Sequence, residues 1–245
     1  MTEDAIGMRT KAWARGAGIR WVATAAMLVL LASAGTAAAA ATPMQLTYRV
    51  THSVYGNIGT YTNRIEPSAG GTTVQTQAHF QVKLLGVNMY REDAQRTERW
   101  QGNRLISFNG VTSKGSESTV VKGEARGNSF VISSPQGTIT APATVHPANP
   151  WSPNFLASST MMRPDSGKIE RVSVSGGQQT VVDLDGKPVR AEKYEVNGAA
   201  RYGVWLDSRG VPVMFVVDDD SGKVTFTLAS CTGCDVTPTQ QLGMK

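Results

Sequence analysis

From Met44 onward, apolar and polar residues alternate with a period of two. Leu46, Tyr48 and Val50 alternate with Thr47, Arg49 and Thr51, and Val74, Thr76, Ala78, Phe80, Val82 and Leu84 keep the same rhythm over a longer stretch. Successive side chains of a β-strand point to opposite faces, so the pattern predicts strands with one face in a core and the other in solvent. Turn signals punctuate the runs at Gln101-Gly102-Asn103, Arg126-Gly127-Asn128, Pro135-Gln136-Gly137, Asn197-Gly198, Asp207 to Gly210 and Ser221-Gly222. Their close spacing predicts hairpins joined as a meander rather than βαβ crossovers, with about a dozen short strands. In PVMFVV (212–217), Val213, Phe215 and Val217 face one way and Met214 and Val216 the other, which predicts a central strand covered on both sides. KVTFTLA then alternates again, with Val224, Phe226 and Leu228 inward.

One segment breaks the rhythm. HPANPWSPNFLASSTMMRPDSG (146–167) has three prolines around Trp151, followed by a stretch suited to two helical turns. Ser152 is placed to cap that helix, Pro153 fits its first turn and Pro164 ends it. A surface loop carrying Trp151, Phe155, Leu156, Met161 and Met162 must bury them somewhere. Residues 147–162 are therefore expected over one opening of the rolled sheet, with Trp151 pointing inward.

The first 41 residues read as a leader. Arg9, Lys11, Arg15 and Arg20 precede the apolar run WVATAAMLVLLASAG, and the small residues TAAAAATP follow. That order matches a secretory signal peptide cleaved near Ala39 to Ala41. MRTKAWARG, starting at Met8, is the cleaner start of such a leader. The alternative is an uncleaved inner-membrane anchor, since Trp21 to Ala41 is long enough to span a bilayer. Cleavage leaves one β-domain over 42–230 and a short tail over 231–245. The chain's 24 Lys/Arg and 19 Asp/Glu include four and two in the leader, leaving a net charge of +3 afterwards. So mild and interspersed a charge argues against a nucleic-acid partner. With no second apolar span, the mature chain is expected to be soluble and periplasmic.

NMYREDAQRTERWQGNRLISFNGVTSKG resembles a stretch found in an uncharacterised family of exported proteobacterial proteins. In that family a Tyr-Arg strand leads to an Arg-Trp pair, a Gly turn and an Arg-Leu strand. Tyr90-Arg91, Arg99-Trp100, Gly102 and Arg104-Leu105 match these here. PWSPNFL resembles the family's Trp-Asn-Pro helix start, with Pro and Asn exchanged in order. RYGVWLDSRGVPVMFVVDDDSGKVTFTL is similar to its terminal hairpins. The resemblance implies an all-β roll or partly closed barrel with one short helix, and it brings no activity and no catalytic residues. The CTGC near the C-terminus lies outside the shared pattern.

Cys231 and Cys234, the chain's only cysteines, admit three roles. A thioredoxin-type pair needs a helix start after it, and DVTPTQQ has no helical pattern. A structural zinc site needs four ligands, and His52, His79 and His146 are scattered. A local disulfide fits an exported chain best. The run Asp218-Asp219-Asp220-Ser221-Gly222 and the run Asp183-Leu184-Asp185-Gly186 lack the ligand alternation of a calcium loop and read as hairpin turns.

Neither a G-x-S-x-G elbow nor an H-E-x-x-H motif is present, and three separate histidines are a thin supply of general bases. His79 falls on an exposed strand phase. Glu92, Asp93 and Glu98 among Arg91, Arg96 and Arg99 read as cross-strand charge pairing. The aromatic residues Tyr90, Trp100, Trp151 and Trp205, with Phe155, are the candidate ligand-binding set. Each alone is ordinary core, but a rolled sheet of this size readily encloses an apolar cavity. The expected function is a non-enzymatic binder of an apolar or lipid-like envelope ligand, needing no cofactor and no metal. A structural module that meets another envelope protein is the alternative, and an unrecognised hydrolase the third.

Overall fold

A computed structural model describes residues 42–198, 201–219 and 222–234 of the chain. The leader, the middle of the Asp218–Gly222 turn and the tail beyond Cys234 lie outside the described residues. Eight strands follow one another as a meander. They are β1 (Met44–His52), β2 (Gly56–Ser68), β3 (Gly71–Leu84), β4 (Val87–Gln101), β5 (Arg104–Lys114), β6 (Glu117–Arg126), β7 (Ser129–Ser134) and β8 (Gly137–Pro142). A second meander comprises β12 (Ser173–Leu184), β13 (Lys187–Asn197), β14 (Arg201–Leu206), β15 (Pro212–Asp219) and β16 (Gly222–Thr232). Antiparallel pairing of β16 with β1 joins the two into one 13-stranded sheet in the order β12 to β16, then β1 to β8. Between the meanders lies a small sheet of β9 (His146–Pro147), β10 (Thr160–Met162) and β11 (Ile169–Arg171).

The expected alternation holds along β1, where Leu46, Tyr48 and Val50 are wholly buried. In β3, Val74, Thr76, Ala78 and Val82 are buried, but a bulge between Val82 and Lys83 ends the phase and Leu84 is exposed. Inward residues from both meanders and from the inserted segment form one hydrophobic cluster. The sheet is curled. Tyr61 on β2 and Phe215 on β15 are three strands apart in the order, roughly 14 Å in a flat sheet, yet their ring centroids lie 5.8 Å apart. The Tyr48 hydroxyl also reaches across to the Pro212 carbonyl at 2.8 Å. The roll stays open, because edge strands β8 and β12 do not pair with each other. This is the expected all-β, partly closed architecture, with longer and more numerous strands than the turn count predicts.

The predicted helix is shorter than expected. Ser152 caps it, its side chain accepting from the Asn154 N–H, and Pro153 opens it, but it is a single 3₁₀ turn over Pro153–Ala157. It ends at Ser158 rather than Pro164. The Ser158 hydroxyl accepts from the Thr160 N–H and donates to the Thr160 carbonyl, turning the chain into β10. Met161 and Met162 then pair as strand with His146 and Pro147.

Cys231 and Cys234 form a disulfide, with Cα atoms 5.9 Å apart. Cys231 belongs to the end of β16, opposite Leu46, and Cys234 is buried in the main core, its carbonyl accepting from the Arg209 guanidinium. The linkage ties the last described turn to the sheet. Closing so short a loop stabilises by roughly 2 kcal/mol on chain-entropy grounds. Replacing both cysteines with serine is expected to lower the melting temperature by a few degrees without abolishing the fold. Reductant is expected to lower the parent by the same amount and to leave the double variant unchanged. Collapse of the variant to an unfolded chain would refute this minor role.

Candidate functional site

Along β4 the even positions Tyr90, Glu92, Ala94, Arg96, Glu98 and Trp100 share the inner face, as strand parity requires. Asp93, on the outer face, pairs with Arg91 and His79. Cross-strand charge pairing is found at Asp93 with His79 and at Glu92 with Lys114, whereas Arg91 pairs with Asp93 along the same strand. Glu92 and Glu98 are buried, and Glu98 has no exposed surface at all.

The Glu98 carboxylate is the centre of a buried polar network. One oxygen accepts from the indole N–H groups of Trp100 at 2.9 Å and Trp151 at 3.1 Å, and the other from the Asn149 amide at 2.9 Å. The Asn149 carbonyl accepts from the Tyr61 hydroxyl and the Asn63 amide, both at 2.9 Å. Thr76 closes the ring by donating to Asn63 at 2.8 Å and accepting from Asn149 at 3.2 Å. Asn63, Thr76 and Arg96 lie side by side in register on β2, β3 and β4, so neighbouring strands present one polar row. Trp151 meets Trp100 edge-on at 5.9 Å, and His146 lies over Trp100 at 4.9 Å.

Burial raises the Glu98 carboxyl above its ordinary range, opposed by the Asn149, Trp100 and Trp151 hydrogen bonds and by the Arg96 charge. Burial likewise pushes Tyr61 up to about 12 and lowers His146. Every side chain bonded to the carboxylate is a donor, so the cluster has no nucleophile–base pair of the kind that activates a serine or a water. Its evident work is to fix the 146–162 segment to the inner face of the sheet.

Beside this anchor lies a cavity of about 300 Å³. Phe80, Phe215, Val217 and Phe226 of the sheet wall it on one side, and Pro147, Pro150, Phe155 and Met161 of the segment on another. Glu92, Arg96, Lys114, Arg163 and Asp165 form a polar border, with Asp165 3.3 Å from Lys114 and 3.5 Å from Arg163, and Lys114 3.6 Å from Glu92. The buried Arg96 Nε has no hydrogen-bond partner among the described residues. A second cavity of about 530 Å³ adjoins the first, sharing Phe80, Tyr90, Glu92, Val217 and Phe226. It runs toward the β1–β2 and β3–β4 turns between His52, Tyr55, Ile58, Val82, Leu84 and Met89.

The structure brings together only part of the candidate set. Tyr90 borders both cavities and Phe155 the smaller one. Trp100 and Trp151 are buried in the anchor, neighbours to the cavity rather than its wall. Trp205 is elsewhere. Its neighbours Val204 and Leu206 point into the main core, so parity sends Trp205 to the opposite face, against a second cluster of Val182, Ala191 and Val213. Lys193 lies over its ring at 5.5 Å. Residues missed from the sequence are Tyr61, Asn63, Thr76, Glu98 and Asn149. A signal for Glu98 was available in its even spacing from Ala94 and Trp100, which puts a carboxylate on an inward phase.

Comparison with known proteins agrees with the fold. Residues 48–229 match a protein-family model described as a domain of unknown function, DUF6134. No curated protein shows a significant match. Among solved structures the fold is similar to a β-barrel-like protein of domain of unknown function DUF1849 from Brucella abortus. The two share 14% identity with a TM-score of 0.58, over 78% of this chain and 97% of that one. The likeness at that identity is one of fold. With its family match spanning all but the first and last few strand residues of the large sheet, the chain belongs to the DUF6134 family.

Proposed function

We propose that this protein is an exported, non-enzymatic carrier that holds an apolar, lipid-like ligand with a polar end in the adjoining cavities of its rolled sheet. The observation that carries this reading is the pair of cavities itself. They are walled by Phe80, Val217 and Phe226, and each is within the range of roughly 300–1,000 Å³ typical of small-molecule sites. Apolar surface left facing a cavity gains free energy when a hydrocarbon chain replaces water there. The polar border supplies orientation, since Arg96, Lys114 and Arg163 are cationic donors and Glu92 and Asp165 offset two of the three. A border with one positive charge in excess suits a polar end that carries a single negative charge, such as a carboxylate. The Pro147–Met162 segment is the fixed wall of this site, clamped by Glu98.

Export rests on the leader pattern of residues 1–41 and on the local disulfide. Native and denaturing mass spectra of protein released by osmotic shock test both halves of the proposal. The denatured mass is expected to correspond to a chain starting within a few residues of Thr42. The native mass is expected to exceed it by a discrete apolar adduct that organic solvent extracts. Full-length chain in the membrane fraction would overturn the processing. A bare native mass, together with no uptake of a fluorescent fatty acid, would overturn the carrier reading. A stoichiometric protein partner in its place would favour the structural-module alternative.

A further inference from the structure

The wider cavity opens among the turns at one end of the sheet, and those turns are dressed for hydrocarbon rather than water. Leu84, Leu85, Val87 and Met89 of the β3–β4 turn are 57%, 97%, 60% and 63% exposed. Val54 in the β1–β2 turn is 68% exposed. Residues 83–90 are exposed on both strand faces, so this hairpin protrudes with apolar groups on both of them. The backbone sharpens the point. Leu85-Gly86 is a two-residue turn with φ of +50° and +82°, closing the Leu84–Val87 pair. Such turns favour Asn or Asp followed by Gly, because a branched side chain is strained at positive φ. The β12–β13 turn of this same chain obeys the preference with Asp185-Gly186, at φ of +56° and +81°. Among the described residues, Leu85 and Asp185 are the only non-glycine residues at positive φ. At Leu85, both backbone preference and solvation argue against leucine.

We propose that the β3–β4 tip, with Val54 and Tyr55 beside it, inserts into the surface of a phospholipid bilayer and places the cavity mouth against the acyl chains. The proposal rests on the carrier reading for the use of that contact, though not for the contact itself. A bilayer, rather than a protein, is the occupant for three reasons. A knob with exposed apolar groups on both strand faces is matched by fluid hydrocarbon, which surrounds it, better than by one flat partner face. Tyr55 and Tyr90 stand at its base, where amphipathic rings sit at the headgroup level, and Lys83 is the only charged residue of 83–90, long enough to reach the headgroups. Tyr55, Leu84 and Met89 also line the cavity, so the inserted surface and the ligand path are continuous.

The experiment uses the processed full chain carrying Leu85→Cys, labelled with a polarity-sensitive nitrobenzoxadiazole dye, and a control labelled at Val181→Cys on the exposed face of β12. Cys231 and Cys234 are bonded to each other and do not take the dye. Vesicles of phosphatidylethanolamine and phosphatidylglycerol, three to one, are added. Emission at position 85 is expected to rise several-fold and at position 181 to stay level. A variant with Val54→Ser, Leu85→Ser and Val87→Ser, exposed residues that do not line the cavity, is expected to bind the vesicles at least tenfold more weakly while melting as the parent does. Uptake of a fluorescent fatty acid from vesicle-free solution separates the two ideas: it is expected in the parent and in that variant alike, and its absence in a parent that still binds vesicles would sink the carrier reading alone. No change at position 85, an equal rise at both positions, or a rise with protein concentration in the absence of vesicles (self-association) would each overturn insertion by the tip.

Discussion

Replacing Glu98 with alanine is expected to lower the melting temperature by roughly 10 °C, corresponding to about 3–5 kcal/mol. The truncation strands three donors in a sealed interior: the two indole N–H groups of Trp100 and Trp151 and the Asn149 amide. Each orphaned buried donor costs about 1–3 kcal/mol. Part of this is offset because a desolvated carboxylate is also removed. The loss reaches beyond the carboxylate, since Asn149 and Trp151 hold the 146–162 segment against the sheet. Glu98→Gln keeps the shape but turns one N–H against a donor, and is expected to be milder, by a factor of two or so. Differential scanning calorimetry reads both. An alanine variant that melts within 2 °C of the parent, a bound set only by the size of effect expected here, would show that the network carries little weight.

The same residue gives a signed pH dependence. Burial raises the folded-state carboxyl above its ordinary value of 4.5, so the native protein holds this proton where the unfolded chain has lost it. The resulting stabilisation is fully present below about pH 4.5 and fades as pH rises through the folded value. Asp93, Asp165, Asp185 and Glu195 are held below their ordinary values and work in the opposite sense, losing stability as pH falls. The parent alone therefore shows a sum. The advantage of the parent over Glu98→Gln isolates the term, and is expected to shrink as pH rises from 4.5. A parent advantage that grows over that range would contradict the assignment.

Filling the cavity is expected to have the second largest effect, on binding rather than on folding. Val217 on β15 is partly buried and borders both cavities. Val217→Trp sends an indole into that shared space, and is expected to weaken binding of an anthroyloxy-labelled fatty acid by tenfold or more. Because the added volume enters existing space, the cost in stability should stay within the roughly 1–3 kcal/mol of moderate overpacking. Trp205→Ala is the matched control, since Trp205 packs on the opposite face against Val182, Ala191 and Val213. It should leave binding unchanged. Equal binding by Val217→Trp and the parent would place the ligand elsewhere, and weakened binding by Trp205→Ala would restore that residue to the site.

The fold was legible because its signals are local. Period-two alternation in β1 and β3 reports which face is buried whatever the partner strand is, and Gly102, Gly127, Gly137 and Gly210 mark turns by conformations that glycine adopts freely. Ser152 and Pro153 likewise announced the start of the 3₁₀ turn. Its early end was hidden, because β10 exists only through pairing with β9 and β11, a contact between segments distant in the chain. Hairpin succession was also readable, but not the β16–β1 pairing that joins the meanders, nor the curl that sets Tyr61 beside Phe215.

The site divides the same way. The inward phase of Glu98 was present in the sequence, yet a buried carboxylate is tolerable only if donors meet it, and those donors come from Asn149 and Trp151, some fifty residues away. Tyr90 and Trp205 looked equivalent as isolated aromatics. Strand parity, counted from neighbours whose own burial depends on the rolled sheet, sends one to the cavity and the other to the far face. By itself the sequence determined the alternating strands of the two meanders, most turns, the closeness of the two cysteines and the inward-facing segment. Only the tertiary structure decided which inward residues pack solid and which border open space, because a cavity is a mismatch in volume between segments that no local pattern encodes.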